Sequence, residues 1–514
     1  MKANVGDSYI PIKHPLLMLG SVMLGTLIIS IDTTIANVAL PHMQGSLSAT
    51  QDQISWVLTS YIVATAIMIP PTGFLAGKLG PQRLMIFCIT GFLIASMLCG
   101  TATSLAEMVL FRMLQGACGA AISPLGQSLV MDHFPAQKRG QILALWGMGV
   151  MVGPIIGPTL GGYLTEALSW RWVFYINVPL CVLALIGIVA SVPRERAAKL
   201  EPFDFLGFGL ISVCIGAFQL VLDRGHSVNW FQSTEIVVEA AVAALCLYLF
   251  LVHMFTAKHP FIEPRLFRDK NLLSGLLLIG VSQAVIIGQM ALLPNLLQQL
   301  MQIPVDTTGL LMMPRGIASI ISMGIVSRFI NRVDARQMMA FGLLLLCLSM
   351  YEMSRINLDV SQRTIVLIGF LQGFAISFLV APMTTATFAT LTTETRAEGA
   401  ALYSLMRNLG GSIGVAMIFT GIAKGTQANH QYLGANITAF STSDALPAVW
   451  RWNTEAGAMA LNSELTRQAA SIAYFNIYWF LAASLFLMIP LCFLFSNPNK
   501  ILLRQTSHAF EHAE

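Results

Sequence analysis

A chain of 514 residues, 55% hydrophobic and 11% charged, carries too little charge for water, where about 25% is usual. Its mean hydropathy of +0.71 excludes a soluble enzyme and implies an all-α polytopic membrane protein, in contact with membrane lipid along most of its length. The net charge of +4 is scattered over short loops, which argues against nucleic acid as a partner.

Runs of about 20 apolar residues mark membrane spans. Fourteen are read in chain order: 16–40, 53–75, 84–102, 105–131, 141–165, 171–192, 204–222, 235–256, 272–300, 308–330, 337–355, 364–391, 400–423 and 471–495. The N-terminal stretch lacks a short apolar core followed by a cleavage site, so the first run reads as a retained span rather than a signal peptide. An even count puts both termini on one side. With the N-terminus inside, nineteen of the 29 Lys and Arg lie in inner loops and seven in outer ones, so the positive-inside rule makes both termini cytoplasmic. The remaining three, Arg112, Arg315 and Arg407, lie inside spans. The eight cysteines all fall in apolar runs without CxxC spacing, so they read as small hydrophobes rather than as disulfides or metal ligands.

The first span ends in SIDTTIANVALP, residues 30–41. Asp32 is its lone carboxylate, roughly 13 Å from a helix stop at Pro41. An ionised carboxylate in lipid needs a partner. Span four reads LFRMLQGACGAAISP and places Arg112 roughly 11 Å below the same outer face. Opposite charges at matching depth are natural partners, with Gln115 on Arg112's helix face and Gln127 further along the span. Asp32 and Arg112 are therefore the proton-coupling candidates, and Thr33, Thr34 and Asn37 are expected to shape the site around Asp32 and, with Gln115 and Gln127, to line the substrate pathway.

After span two, GFLAGKLGPQRL reads as a tight inner turn, with Gly73 and Gly80 as its pivots and Lys78 and Arg83 as gating cations. GIVSRFINRVDARQ, residues 324–337, is a partial echo that suggests internal duplication. Span five reads WGMGVMVGPIIGPTLGGY. Its Gly153, Gly157 and Gly161 recur every fourth residue and give a smooth packing stripe, extended by Gly162. Pro154 and Pro158 should bend it. In the second half, Gln283, Gln289, Asn295, Gln298 and Gln372 are polar positions in apolar spans. Arg407 and Asn408, in YSLMRNLGGSIG, precede another glycine cluster. All are candidates for lining a substrate pathway, with interhelical hydrogen bonding as the other reading. Residues 424–470 form the one long outer connection, either a solvated connector or a partner-docking element. No Walker A, GxSxG or HExxH set occurs on a plausible span, so no cofactor is expected and an ion gradient must supply the energy.

Several of these stretches together resemble the major facilitator superfamily, in its fourteen-span drug:proton antiporter branch of EmrB and QacA type. DTTIANVALP resembles that branch's first-span motif, GFLAGKLGPQR its loop motif, RMLQGACGA its arginine motif and GVMVGPIIGPTLGG its antiporter motif. WRWVFYINVP (170–179) and LDRGHSVNWF (222–231) look closest to the EmrB type. The resemblance implies two six-helix bundles, residues 1–192 and 272–514, with two extra helices in 193–271. It also implies an inner-membrane multidrug exporter that works by alternating access, exchanging protons for lipophilic or cationic compounds. A periplasmic membrane-fusion adaptor and an outer-membrane channel are the implied partners. The usual acidic position of the loop motif is Gly77 here, so the inner gate must rely on other contacts. A dedicated exporter of one metabolite, lipid or siderophore is the alternative, and a membrane sensor without turnover a more distant one.

Overall fold

Long apolar helices satisfy every backbone group internally, which is what a chain crossing lipid requires. The computed structural model describes residues 12–194, 203–225, 227–330, 332–392, 395–437, 450 and 454–495, and their regular elements are all helical. In chain order they are α1 (Pro15–Ser46), α2 (Gln51–Ile54), α3 (Trp56–Met68), α4 (Thr72–Leu79), α5 (Pro81–Thr101), α6 (Leu105–Gly119), α7 (Ile122–His133), α8 (Ala136–Ala167) and α9 (Trp172–Tyr175). There follow α10 (Asn177–Ser191), α11 (Phe205–Arg224), α12 (Thr234–Thr256), α13 (Lys270–Asn295), α14 (Val305–Phe329), α15 (Ala335–Ser354), α16 (Gln362–Phe388), α17 (Arg396–Ala435) and α18 (Glu455–Met488). Leu16, Phe205 and Leu487 are each 75% exposed or more, a burden only lipid relieves.

Twelve helices among the described residues are long and apolar enough to cross a membrane, and α3 with α4, bent by 60°, adds a thirteenth. The remaining expected run, 141–165, falls on α8, a continuous helix of 32 residues. Packing follows chain halves. In the first, α1 lies against α8 and α10, and α3 and α5 flank α6; in the second, α13 lies against α17 and α16 against α14 and α15. Helix α11, paired with α12, packs on both α3 and α17, and α8 meets α14 across the seam between the halves.

Three local expectations change. Helix α1 does not stop at Pro41 but carries it inside and runs on to Ser46, because one missing backbone donor is a small loss in a long packed helix. The expected turn at 73–84 is mostly helix α4. The bend comes earlier, at Ile69–Pro71, where two prolines interrupt the ladder, and the sharp reversal is confined to Gly80, whose φ of 82° is left-handed. The connection at 424–470 is largely helical too. Helix α17 continues to Ala435 and α18 begins at Glu455, capped by the Thr454 side chain accepting from Gly457 N–H. The two extensions are tied by Asn429 donating to Ala469 O at 3.1 Å and by His430 beside Asn462 at 3.0 Å. Residues 438–449 and 451–453 lie outside the described set. The residues of this extension are too polar to register as an apolar run.

Candidate functional site: a buried carboxylate network

Asp32 and Arg112 meet inside the first half. Both side chains are 0% exposed, and Arg112 Nη1 donates to Asp32 Oδ2 at 2.7 Å. Gln115, one helical turn along α6, lies on the same face as Arg112. Its Oε1 accepts from Arg112 Nη1 at 2.7 Å and its Nε2 donates to Asp32 Oδ1 at 2.8 Å. Asn177, the first residue of α10, donates to the same Oδ1 at 2.8 Å and also approaches Ser96 Oγ at 3.0 Å. Ser96 in turn donates to Phe174 O at 2.9 Å. The guanidinium plane is held separately. Its Nε donates to Val57 O at 3.1 Å, and its centre lies 4.2 Å from the Tyr61 ring centroid, within cation–π range.

Asp32 thus has three donors from three side chains, on α6 and α10, and the charge of Arg112 offsets the cost of removing its own from water. A protonated carboxyl has an O–H of its own and less acceptor capacity. One added proton therefore breaks or reorients at least one contact joining α1 to α6 or α10. Sequence reasoning missed Asn177, Ser96 and Tyr61. The only signal was Asn177 itself, a lone amide in the apolar stretch WRWVFYINVP.

The neighbours of Asp32 point elsewhere. Thr33 donates to Ile29 O and Ser30 O, Thr34 to Ser30 O and Ile31 O, and Asn37 to Thr33 O, all within α1. Thr34 faces the glycine stripe of α8 instead. A β-carbon on Gly157 would overlap Thr34 Oγ1, one on Gly153 would lie 2.6 Å from Ser30 Cβ, and one on Gly161 would lie 3.3 Å from Ile35 O. Gly162 has nothing within 4 Å of such an atom and takes no part in this contact. The side chains of Pro154 and Pro158 lie outside the described residues.

In the second half, Gln289 donates to Gln372, joining α13 to α16. Gln127 and Gln283 are buried on α7 and α13. Asn295 bonds its own helix at Ala291 O, 2.9 Å, and Gln298 lies in the single π-helical turn Leu296–Leu300. Arg407 spans the seam, donating to Ser123 Oγ at 3.1 Å, with half-buried Asn408 beside it. At the end of the molecule bearing the Gly80 turn, a β-carbon on Gly73 would lie 2.8 Å from Glu398 Cγ, so α4 packs tightly on the start of α17. Lys78 lies 5.9 Å from the Phe74 ring centroid, and Arg83 is exposed. The link across this seam comes from residues the sequence reading did not single out: Arg396 Nη1 and Asp132 Oδ1, 2.9 Å apart, join α17 to α7.

A two-part helical bundle crossing lipid, with an ion-pair network buried in one half and glycine-lined contacts between helices, defines a polytopic membrane carrier. The chain belongs to the Major Facilitator Superfamily, whose family model matches residues 22–415. It is 32% identical over 484 residues to the multidrug export protein EmrB of Escherichia coli, covering 92% of this chain and 94% of that protein. It is 35% identical over 438 residues to the fatty acid resistance protein FarB of Neisseria gonorrhoeae, covering 85% and 86%. The crystal structure of the human organic anion transporter MFSD10 superposes with a TM-score of 0.59 over 91% of this chain and 99% of that one. At 16% identity that likeness carries the fold alone.

Proposed function

We propose that the protein is a proton-driven exporter of lipophilic small molecules, a drug:H⁺ antiporter of the inner membrane. The EmrB and FarB relatives, similar over most of their length, support export. The observation that carries proton coupling is the wholly buried Asp32 carboxylate with its three donors. Deprotonated, Asp32 ties α1 to α6 and α10. A proton entering from outside removes the ionic attraction to Arg112 and frees at least one amide donor. The first bundle, residues 1–192, then shifts against the second, residues 272–514. The extra helices of 193–271 lie beside both bundles, and the termini face the cytoplasm. Asp132–Arg396 and the Gly73–Glu398 contact take the gating part that an acid at position 77 plays elsewhere. A periplasmic adaptor and an outer-membrane channel complete the export route, with the α17–α18 extension the element that projects on the outer side.

Proteoliposomes loaded with a pH dye test this. Addition of a lipophilic substrate should release protons from the wild type and none from Asp32→Asn, and an Asp32→Asn protein that still exchanges protons for substrate refutes the assignment. The FarB likeness favours one second reading, export of a single lipid class, which a panel of unrelated substrates separates from multidrug export.

A further inference from the structure

The two halves carry one constellation with an exchange of parts. RMLQG, residues 112–116 of α6, has its counterpart in GFLQG, residues 369–373 of α16. In the first half, Gly116 packs on the backbone of Tyr61 in α3 and Gln115 reaches Asp32 in α1. In the second, Gly373 packs on the backbone of Arg315 in α14 and Gln372 reaches Gln289 in α13. Arg315 thus stands at the position of Tyr61, Gly369 at that of Arg112, and neutral Gln289 at that of Asp32. The guanidinium has been kept, supplied from α14 instead of α16, and its carboxylate has not.

The consequence is a set of unmet hydrogen bonds. Arg315 is 8% exposed and its Nη1 is without a partner, as are Gln372 Nε2, the hydroxyl of Tyr478, a fully buried residue of α18 within electrostatic reach of Arg315, and one acceptor, Gln289 Oε1. A buried cation without a counter-charge is a costly arrangement to retain. The imbalance extends to the seam: of the three guanidiniums inside spans, only Arg112 has a carboxylate among the described residues, and Arg407 has the Ser123 hydroxyl. A cationic substrate would find no free acid here. Arg315 Nη1, Gln372 Nε2 and Tyr478 O–H are instead three donors against the single acceptor Gln289 Oε1, an excess of the kind that an acceptor-only group takes up.

We propose that Arg315, Gln372 and Tyr478, with Gln289 as their support, form an anion site that receives the ionised carboxylate of an amphiphilic acid. The inference rests on the export reading for the lipophilic body of this ligand, and it replaces the expectation of cationic cargo. The test is equilibrium binding of radiolabelled dodecanoate to the full chain in lipid nanodiscs, with dodecanol and sodium chloride as competitors. Arg315→Gln removes the charge. Gln289→Glu installs, on the partner of Gln372, the acid that Asp32 provides in the other half, and an unchanged or raised Tm shows that it folds. Both variants should weaken dodecanoate binding by about ten- to a hundredfold and leave dodecanol unaffected. Dodecanoate binding that is no tighter than dodecanol, or that persists in folded Gln289→Glu, overturns the proposal. So does a chloride-dependent rise in Tm that needs Arg315 while dodecanoate fails to bind, since the site then serves an inorganic anion. Export of a neutral dye by the wild type reads the transport function separately, so its absence would refute export without touching the binding result.

Discussion

Removing one member of a fully buried ion pair strands the other, which makes Asp32 and Arg112 the most informative pair for a double-mutant cycle. In Asp32→Asn the amide oxygen still accepts from Gln115 and Asn177, but an NH₂ group replaces Oδ2 and faces Arg112 Nη1, donor against donor, at the 2.7 Å now occupied by the ion pair. Stranding a buried charge in this way costs about 3–5 kcal/mol. Arg112 keeps its bond to Val57 O and its place over Tyr61, which puts this variant at about 3 kcal/mol. Arg112→Leu strands the carboxylate with two amide donors and also loses the cation–π contact, so it falls nearer 4 kcal/mol, about 1 of it from the ring. In the double variant no charge is stranded, and the loss should be no more than the about 4 kcal/mol of Arg112→Leu alone, against about 7 for the sum of the two. The coupling is then at least about 3 kcal/mol, the upper end of what neighbouring residues show. Denaturant titration of the purified protein in micelles, read by tryptophan fluorescence, measures all four corners. Single effects that add within about 0.5 kcal/mol would show that the two residues do not act as a unit, and the proposed proton switch would fall with them.

The glycine stripe of α8 predicts a graded series: Gly157→Ala and Gly153→Ala force α8 away from Thr34 and Ser30 and should cost about 1–3 kcal/mol with loss of transport, whereas Gly162→Ala meets open space and should match the wild type in Tm and efflux. At the start of α11, Asp204 is pushed up by partial burial but more strongly down by its bonds from Gly207 N–H, His253 and Phe261 N–H, so its carboxyl lies below the usual range. Its stabilisation is therefore complete above the unfolded value of about 4 and lost as pH falls through the lower folded one. Asp204→Asn keeps the cap on Gly207 but loses an acceptor oxygen shared with His253 and Phe261 N–H, so it should lose about 1 kcal/mol at pH 7 and show a shallower fall in Tm below pH 4.

Depth counting from helix rise was enough to pair Asp32 with Arg112, because charge in lipid is scarce and a carboxylate there has few other groups at its depth that can offset its cost. The amides that complete the network were not legible in the same way. Asn177 in an apolar run looks like any other interhelical hydrogen-bonding residue until the fold brings α10 beside α1. The expectation for Thr33 and Thr34 failed on geometry: consecutive helical residues lie about 100° apart, so neither could share the face of Asp32, and Thr34 docks α8 instead. The extension of α17 and α18 was hidden because its residues are too polar for an apolar run, and the cross-helix bonds of Asn429 and of His430 with Asn462 leave no periodic signal. Arg315 was visible in the sequence as an intramembrane cation, but its meaning depends on Gln289 occupying the place of Asp32, which shows only in the contacts that the two LQG segments make.

That difference between halves has an energetic consequence for the proposed cycle. If one half takes a proton inward and the other carries a monoanion outward, both movements transfer charge in the direction an inside-negative potential favours. Each elementary charge is worth about 2.3 kcal/mol per 100 mV. Export of an anion then draws about 4.6 kcal/mol from the potential at 100 mV, against about 2.3 for a neutral compound exchanged for the same proton. Collapsing the potential with valinomycin and potassium, while the pH gradient is held, should reduce the limiting accumulation ratio of dodecanoate about fiftyfold more than that of dodecanol. Equal sensitivity of the two would mean that the carboxylate crosses in its neutral, protonated form. Arg315 could then not be its counter-charge during transport, and the fixed positive charge of the second half would need another partner.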